Sequence, residues 1–453
     1  GQRLMDVRET ALEILLEAEK TGAFAENLLR DALEKYDYEN PRQKALLKRL
    51  TEGTLERLLT LDSCLDSVSS VKTERMKPLI RCLLRLSAYQ ILFLESVPDR
   101  AACSEAVRLA KKRGFSRLSG FVNGVLRSLA REKGSFVWPD ARKEPVRALS
   151  VAYSVPEWIV SLWIGQYGQE RTEKMLKALL IPRPVTIRFR SDITEKRREE
   201  TVARFRERGI TAERHPLYPG AWTLDGCEGV ASLPGFSEGQ FYAQDVSSML
   251  AVETAGILPG MRIIDLCGSP GGKAVLAAEK AGREGRVLTG DISEKKTARI
   301  WENAERMRCE NLEIRVWDAG RKQPGLEKWA DVVLADVPCS GLGVLGRKKE
   351  IRYRVQPEDL MALRKLQREI LTASADYVRP GGVLLYSTCT VNREENEEMV
   401  RFLTESFPFE AESLDPWLPE CLHSRETKEG GCQLFAGDFN TDGFFMARLR
   451  RKQ

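Results

Sequence analysis

Apolar positions in the first 133 residues recur every three to four residues. Phe24, Ala25, Leu28, Leu29, Ala32 and Leu33 form one stripe, and Leu46, Leu47, Leu50, Leu55, Leu58 and Leu59 a second. That is the period of helices packed on one another, and strand-like alternation is missing from this stretch. Asn40 before Pro41 reads as an N-cap and first-turn pair. Gly114 after Lys111, Lys112 and Arg113 reads as a helix end whose dipole the cations complement. Leu118, Phe121, Val122, Val125, Leu126 and Leu129 make a last helical stripe. Beyond a Pro-marked linker, Ser154-Val155-Pro156-Glu157 has the spacing of a capping box and opens a further helix. The period then changes: Val185, Ile187 and Phe189 alternate with Thr186, Arg188 and Arg190, as in a half-buried strand. A charged helix over 194–208 and a strand over 220–224 complete a small α/β unit. From about residue 239 strands and helices alternate, the pattern of a doubly wound parallel sheet. Three domains are expected: all-α over 1–138, small α/β over 145–238, and a Rossmann-like domain over 239–453.

Composition narrows the classes. The 453 residues are 42% hydrophobic and 30% charged, as in ordinary globular chains, and no run approaches ~18 apolar residues. A membrane-spanning protein is not expected, no secretory signal is visible, and a cytoplasmic monomer is the expectation. The ten Cys contain no Cys-x-x-Cys pair, and only His215 and His423 exist. A zinc or other metal site and a Ser-His-Asp hydrolase are therefore disfavoured, and both histidines read as structural. The net charge of +5 is mild, but its placement is uneven. Residues 108–133 hold eight basic residues, Lys111, Lys112, Arg113 and Arg117 among them, against one acid, Glu132. Arg347, Lys348, Lys349, Arg352 and Arg354 fall within eight residues, with Tyr353 available for stacking. Both segments are candidate grips on a phosphate backbone, and a solvated helix face is the competing reading.

The candidate chemistry lies at the carboxyl ends of the expected strands, where open α/β sheets bind ligands. After a strand over 261–267 comes Gly268-Ser269-Pro270-Gly271-Gly272-Lys273. This is neither Gly-x-Gly-x-x-Gly nor a Walker loop, which disfavours ATP hydrolysis. It still brings bare backbone close to a ligand, and Asp291, at the next strand's end, can accept a ribose hydroxyl. Asp318, one strand further, is placed for an adenine amino group or a strand-end cap. A nucleoside cofactor fits. Asp336-Val337-Pro338-Cys339-Ser340-Gly341 and Ser387-Thr388-Cys389-Thr390 follow the fourth and fifth strands. Two thiols so placed suit methylation at carbon 5 of cytosine, a carbon too weakly nucleophilic until a thiolate adds at carbon 6. A carboxyl group such as Asp336 then stabilises the charge that develops on the ring. On the residues alone the roles of the two thiols are exchangeable. The target base must be unstacked to be reached, which favours an RNA loop.

The run Cys267, Gly268, Ser269, Pro270, Gly271, Gly272, Lys273, the Asp336 to Gly343 segment, and Tyr386-Ser387-Thr388-Cys389-Thr390 with Asn392, Glu394, Glu395 and Asn396 resemble the Sun-type RNA cytosine-5 methyltransferases. The helical part, with Phe121-Val122-Asn123-Gly124-Val125-Leu126-Arg127, looks like a NusB-like RNA-binding domain, a pairing typical of the bacterial RsmB branch. The resemblance implies an RRM-like middle domain, S-adenosylmethionine as methyl donor and a cytidine of 16S ribosomal RNA as substrate. It also implies Cys389 as nucleophile and Cys339 in product release. Cofactor contacts are implied for the 267–273 loop, Asp291, Asp318 and Asp336. Two positions depart from the family pattern: Cys-Gly-Ser-Pro replaces Ala-Ala-Pro, and Arg190 replaces an Asn. The alternatives are a cytosine-5 methyltransferase of transfer RNA and a non-catalytic NusB-like antitermination protein.

Overall fold

The computed structural model describes residues 6–35, 41–227 and 229–453. The proposed cap at Asn40 lies outside them. Two compact units emerge, one of residues 1–176 with 349–354, the other of 177–348 with 355–453.

The first unit is helical. Val7–Thr21, Ala25–Lys35, Pro41–Glu56, Leu58–Val68, Pro78–Phe93, Asp99–Lys112 and Ser119–Glu132 pack around one core built from Leu12, Leu47, Leu61, Leu83, Leu109 and Leu126. The second leucine stripe is thus two helices, parted at Arg57. The expected helix end at Gly114 is present, with Gly114 at φ +86°. Pro145–Tyr153 and Glu157–Tyr167 belong to this unit as well, so the compact boundary falls well after residue 145. Thr60 Oγ1 donates to Val151 O at 2.5 Å. Ser154 does not cap the helix that follows it. It ends the preceding one in the left-handed region, at φ 54°, and its Oγ accepts from Leu59 N at 2.9 Å. A capping box needs its Ser at the N-cap, and here Pro156 occupies that place.

The 349–354 segment departs most from its expected role. Glu350 spreads its carboxylate over the first amides of Ala25–Lys35, accepting from Ala25 N at 2.9 Å and Glu26 N at 3.2 Å. That is an anion at a helix N-terminus, supplied from some 325 residues away. Lys349 Nζ meets Glu56 at 2.7 Å, Arg354 donates to Ala23 O at 2.6 Å, and Tyr353 OH lies 2.8 Å from Ser154 Oγ. Arg352 is fully buried, with NH1 donating to Ser154 O at 3.3 Å.

The second unit contains two sheets. The smaller is wholly antiparallel: β1 (Val185–Phe189), β2 (Thr211–Arg214), β3 (Ala221–Asp225) and β4 (Phe241–Ala243), in the order β2-β3-β1-β4. The charged helix Glu195–Glu207, capped by Thr194, packs Val202 and Phe205 against it. The larger sheet contains β5 (Arg262–Leu266), β6 (Arg286–Asp291), β7 (Leu312–Val316), β8 (Ala330–Asp336), β9 (Val378–Thr388), β10 (Phe409–Ala411), β11 (Gly431–Leu434) and β12 (Phe444–Arg451). Its order is β10-β12-β9-β8-β5-β6-β7, with β11 also on β12. β7, β6, β5, β8 and β9 run parallel, and their alternating apolar residues feed two cores, one on each face. The strand order reverses between β5 and β8, so their carboxyl ends open a crevice. Among the described residues no helix is long and apolar enough to cross a membrane.

Candidate active site

The glycine loop leaves β5 and enters the helix Gly272–Ala281. At Gly268 a Cβ would sit 2.1 Å from Thr289 Oγ1 and 2.7 Å from Asp265 Oδ2, so only glycine lets the loop cross β6 here. Asp291, at the end of β6, accepts from Ser269 N at 3.1 Å and from Ile292 N at 2.8 Å, tying the two strand ends together. Asp318 turns back on its own loop, where it accepts from Gly320 N at 3.0 Å.

A cavity of about 180 Å³ opens beside the glycine loop. Cys267, Gly268, Ser269, Pro270, Gly272, Lys273 and Asp336 line it; Gly271, Asp291 and Asp318 do not. Reading the sequence missed other lining groups: Tyr242, Gln244, Asp245, Ser248 and Asp265. Asp265 carried a signal, a carboxylate inside the apolar run Ile263-Ile264-Asp265-Leu266. It is buried, burial raises its pKa to about 7, and its Oδ1 has no protein partner. Gln244 Nε2 is likewise buried without a protein partner. A crowded backbone cradle with an unpaired buried acceptor and donor fits a ligand carrying hydroxyl, amino and carboxylate groups, as S-adenosylmethionine does.

Next to this cavity the ends of β8 and β9 hold the two thiols. Cys339 Sγ and Cys389 Sγ lie 3.3 Å apart. The loops are locked to each other. Gly343 N donates to Cys389 O at 3.0 Å, and Ser340 Oγ lies 2.7 Å from Thr390 Oγ1. A Cβ on Gly343 would lie 2.0 Å from Gly443 O and 2.7 Å from Cys389 O. Glu395, fully buried, accepts from Ser340 N at 2.9 Å, Ser340 Oγ at 2.6 Å, Gln367 Nε2 at 3.1 Å and Asn392 Nδ2 at 2.9 Å. Four donors on one carboxylate offset the cost of burying its charge. On the other side, Lys273 Nζ meets Asp336 Oδ2 at 2.7 Å and Ser387 Oγ donates to Asp336 Oδ1 at 3.0 Å.

The thiols are driven apart electrically. The hydrogen bond from Cys339 favours a thiolate at Cys389, and with help from Lys273 and Lys348 it lowers the Cys389 pKa against burial and Asp336. The same hydrogen bond, burial and Glu395 raise the pKa of Cys339.

The predicted basic patches look different in three dimensions. Lys112 pairs with Glu9, and Arg113 with Glu13 at 2.9 Å, so acids from the first helix offset a surplus counted along one segment. Lys111 and Arg117 are exposed. Lys348 is exposed, while Arg347 pairs with Asp442 and reaches the cavity wall. Arg352, expected on RNA, is corrected to a buried structural residue, because its guanidinium fills the interior beside Ser154. Lys349 is committed to Glu56. Both histidines pack: His215 Nδ1 accepts from Leu217 N at 3.2 Å, and His423 Nε2 lies 2.9 Å from Leu418 O. Arg190 holds Gly239 O at 2.7 Å.

Comparison with known proteins places the chain. Residues 257–450 match the 16S rRNA methyltransferase RsmB/F family. A protein of Bacillus subtilis (strain 168) named probable ribosomal RNA small subunit methyltransferase B is 37% identical over 98% of this chain and 99% of its own length. The chain belongs to the ribosomal RNA small subunit methyltransferase B family. The Cronobacter sakazakii protein of that family is 30% identical, over 91% of each chain. Residues 5–131 match the NusB family, and residues 155–230 the ferredoxin-like domain of RsmF/B-like methyltransferases. The order β2-β3-β1-β4 accords with the latter. Among solved structures, PH0851 shares the fold over 100% of both chains, with TM-score 0.81 and 23% identity. NSun6 from Pyrococcus horikoshii covers 66% of this chain and 98% of its own, with TM-score 0.58 and 21% identity. Membership of the methyltransferase B family makes the chain an S-adenosylmethionine-dependent methyltransferase.

Proposed function

We propose that the protein methylates carbon 5 of a cytidine in 16S ribosomal RNA, through a covalent adduct between Cys389 and carbon 6 of an unstacked base. The juxtaposition of the two thiols beside the Lys273–Asp336 pair carries this reading. Cys389 is the nucleophile because its surroundings favour the thiolate. When it adds at carbon 6, electron density moves onto the ring nitrogen N3 and the carbonyl oxygen, where the Lys273 ammonium offsets it and a proton passed from Lys273 to Asp336 can be handed on to N3. Carbon 5 thereby becomes enamine-like. S-adenosylmethionine, held by the 267–273 loop, Asp265 and Asp291, supplies an electrophilic methyl group when bound. A water molecule acting as base then takes the carbon 5 proton, the C5–C6 double bond re-forms as the C6–S bond breaks, and Cys339, close enough to give its proton to the departing Cys389 thiolate, assists that release. Lys111, Arg117 and Lys348 are exposed, and each is available to a phosphate of the RNA.

Incubation with labelled S-adenosylmethionine and separate pools of 16S ribosomal RNA, transfer RNA and DNA tests the reading. Labelled 5-methylcytosine is expected in the ribosomal pool. Cys389→Ala should abolish transfer, whereas Cys339→Ala should accumulate a protein–RNA adduct stable on denaturing gels. An adduct formed by the Cys389 variant alone would exchange the two roles, and label at another atom or in another pool would overturn the substrate.

A further inference from the structure

We infer that Cys339 and Cys389 form an intramolecular disulfide under oxidising conditions, making the active site a reversible redox lock. This goes beyond the proposed reaction and does not depend on the identity of the RNA. The two sulfurs lie 3.3 Å apart, and a disulfide needs about 2.05 Å, so an approach of roughly 1.2 Å joins them. The loops that carry them are already bonded through Gly343 N to Cys389 O and through Ser340 Oγ to Thr390 Oγ1. As whole residues both cysteines are intermediate in exposure.

The surroundings give the pair a division of labour. Cys389 is favoured as thiolate by the Cys339 hydrogen bond and by the charges of Lys273 and Lys348. Burial pushes other thiols the opposite way, Cys64 to about 11 and Cys82, Cys309 and Cys432 to about 12, which leaves them poor nucleophiles. With hydrogen peroxide as oxidant, the Cys389 thiolate attacks one peroxide oxygen. A sulfur–oxygen bond forms, the oxygen–oxygen bond breaks, and hydroxide leaves to become water. Oxidation of Cys389 removes the thiolate whose hydrogen bond and charge raised the Cys339 pKa, and the Cys339 sulfur then attacks the resulting sulfenic sulfur. A sulfur–sulfur bond forms, the sulfur–oxygen bond breaks, and the departing hydroxide takes the Cys339 proton. Two thiols have lost two electrons and two protons, and the peroxide has become two waters. The lock also caps the thiolate at the reversible rung of oxidation, since a nearby resolving thiol pre-empts further oxidation of the sulfenic acid.

The full-length reduced protein is treated with hydrogen peroxide, free thiols are alkylated, and unreduced peptides are analysed by mass spectrometry. The Cys339 and Cys389 peptides should be joined, with two fewer alkylatable thiols per chain. Dithiothreitol should return both thiols and, in parallel, methyl transfer. Cys339→Ser should give no cross-link and instead accumulate over-oxidised Cys389. Recovery of both cysteines as alkylated thiols while the exposed Cys421 oxidises would overturn the inference, as would a cross-link from either to another cysteine. The cross-link is read without any substrate, so failure of ribosomal RNA methylation leaves its outcome intact.

Discussion

Cys389 and Cys339 carry the same functional group at the ends of adjacent parallel strands, 3.3 Å apart, yet their environments make them opposites. Cys389 faces cations: Lys273, anchored on Asp336, and Lys348. Cys339 sits on the side of Glu395, a buried carboxylate with four donors directed at it. Their shared hydrogen bond amplifies the asymmetry, since the proton that stabilises one thiolate is held by the other sulfur. Chemical role here comes first from which sulfur donates the shared hydrogen bond, with burial and the charges behind each loop as secondary contributions.

The largest effect should come from removing the cation. Lys273→Met takes away the ammonium group that favours the Cys389 thiolate and leaves Asp336 opposing it. Losing a positive neighbour raises the thiol's pKa. The acid limb of the kcat/KM profile should therefore move to higher pH, with a loss of about a hundredfold at neutral pH that is partly recovered in alkali. A profile that keeps its limb in place would break the contrast between the two thiols.

Next comes the carboxylate side. Glu395→Gln keeps the shape but turns an amide N–H toward Ser340, Gln367 and Asn392, all of which donate. An unsatisfied buried group costs about 1–3 kcal/mol, so thermal unfolding should fall by several degrees and kcat by about tenfold. S-adenosylmethionine affinity, measured by calorimetry, should stay unchanged because the glycine loop does not touch Glu395. Equal losses of affinity and kcat would make Glu395 a general fold residue instead of a clamp on the Cys339 loop. Lys348→Gln should act in the direction of Lys273→Met but by a few-fold only, because Lys348 is exposed and screened. Its effect should vanish in high salt, which a pH profile at two ionic strengths reads directly.

Much of this arrangement was legible beforehand where local pattern and structure share a period. The strands that bear Asp291, Asp318, Asp336, Cys339 and Cys389 were placed by alternating segments and by where their polar residues clustered. The helical unit was legible from its leucine stripes. What escaped was non-local. Asp265 and Gln244 come to the cavity from different elements, and only the sheet's closure shows that each has a polar atom without a protein partner. Ser154-Val155-Pro156-Glu157 had the correct spacing for a capping box, but the preceding helix ran on to Tyr153 and left Ser154 as its end. Glu350 capping Ala25–Lys35 is beyond any window-based reading, since its partners are some 325 residues distant. Charge counting along the chain misses non-local partners in the same way: residues 108–133 hold one acid, but Glu9 and Glu13 of the first helix pair with Lys112 and Arg113.

The smallest expected effect concerns the basic residues themselves. If cations grip RNA according to exposure and not to linear density, Lys111 and Arg117 should matter more than Lys349, although all three lie in basic runs. Each phosphate contact removed lowers the salt slope of RNA affinity by about 0.7 to 0.9. Lys111→Gln with Arg117→Gln should therefore flatten the slope of binding to a 16S ribosomal RNA fragment, read by fluorescence anisotropy across a salt series. Lys349→Gln should leave the slope unaltered and lower the melting temperature slightly, because its ammonium lies 2.7 Å from Glu56 in a half-buried pair. Removing one partner of such a pair leaves the other carboxylate uncompensated, next to Glu52, whose pKa burial already raises. A flattened slope in the Lys349 variant would return the 347–354 segment to the RNA surface. An unchanged slope in the Lys111 and Arg117 variant would move the grip to another part of the chain.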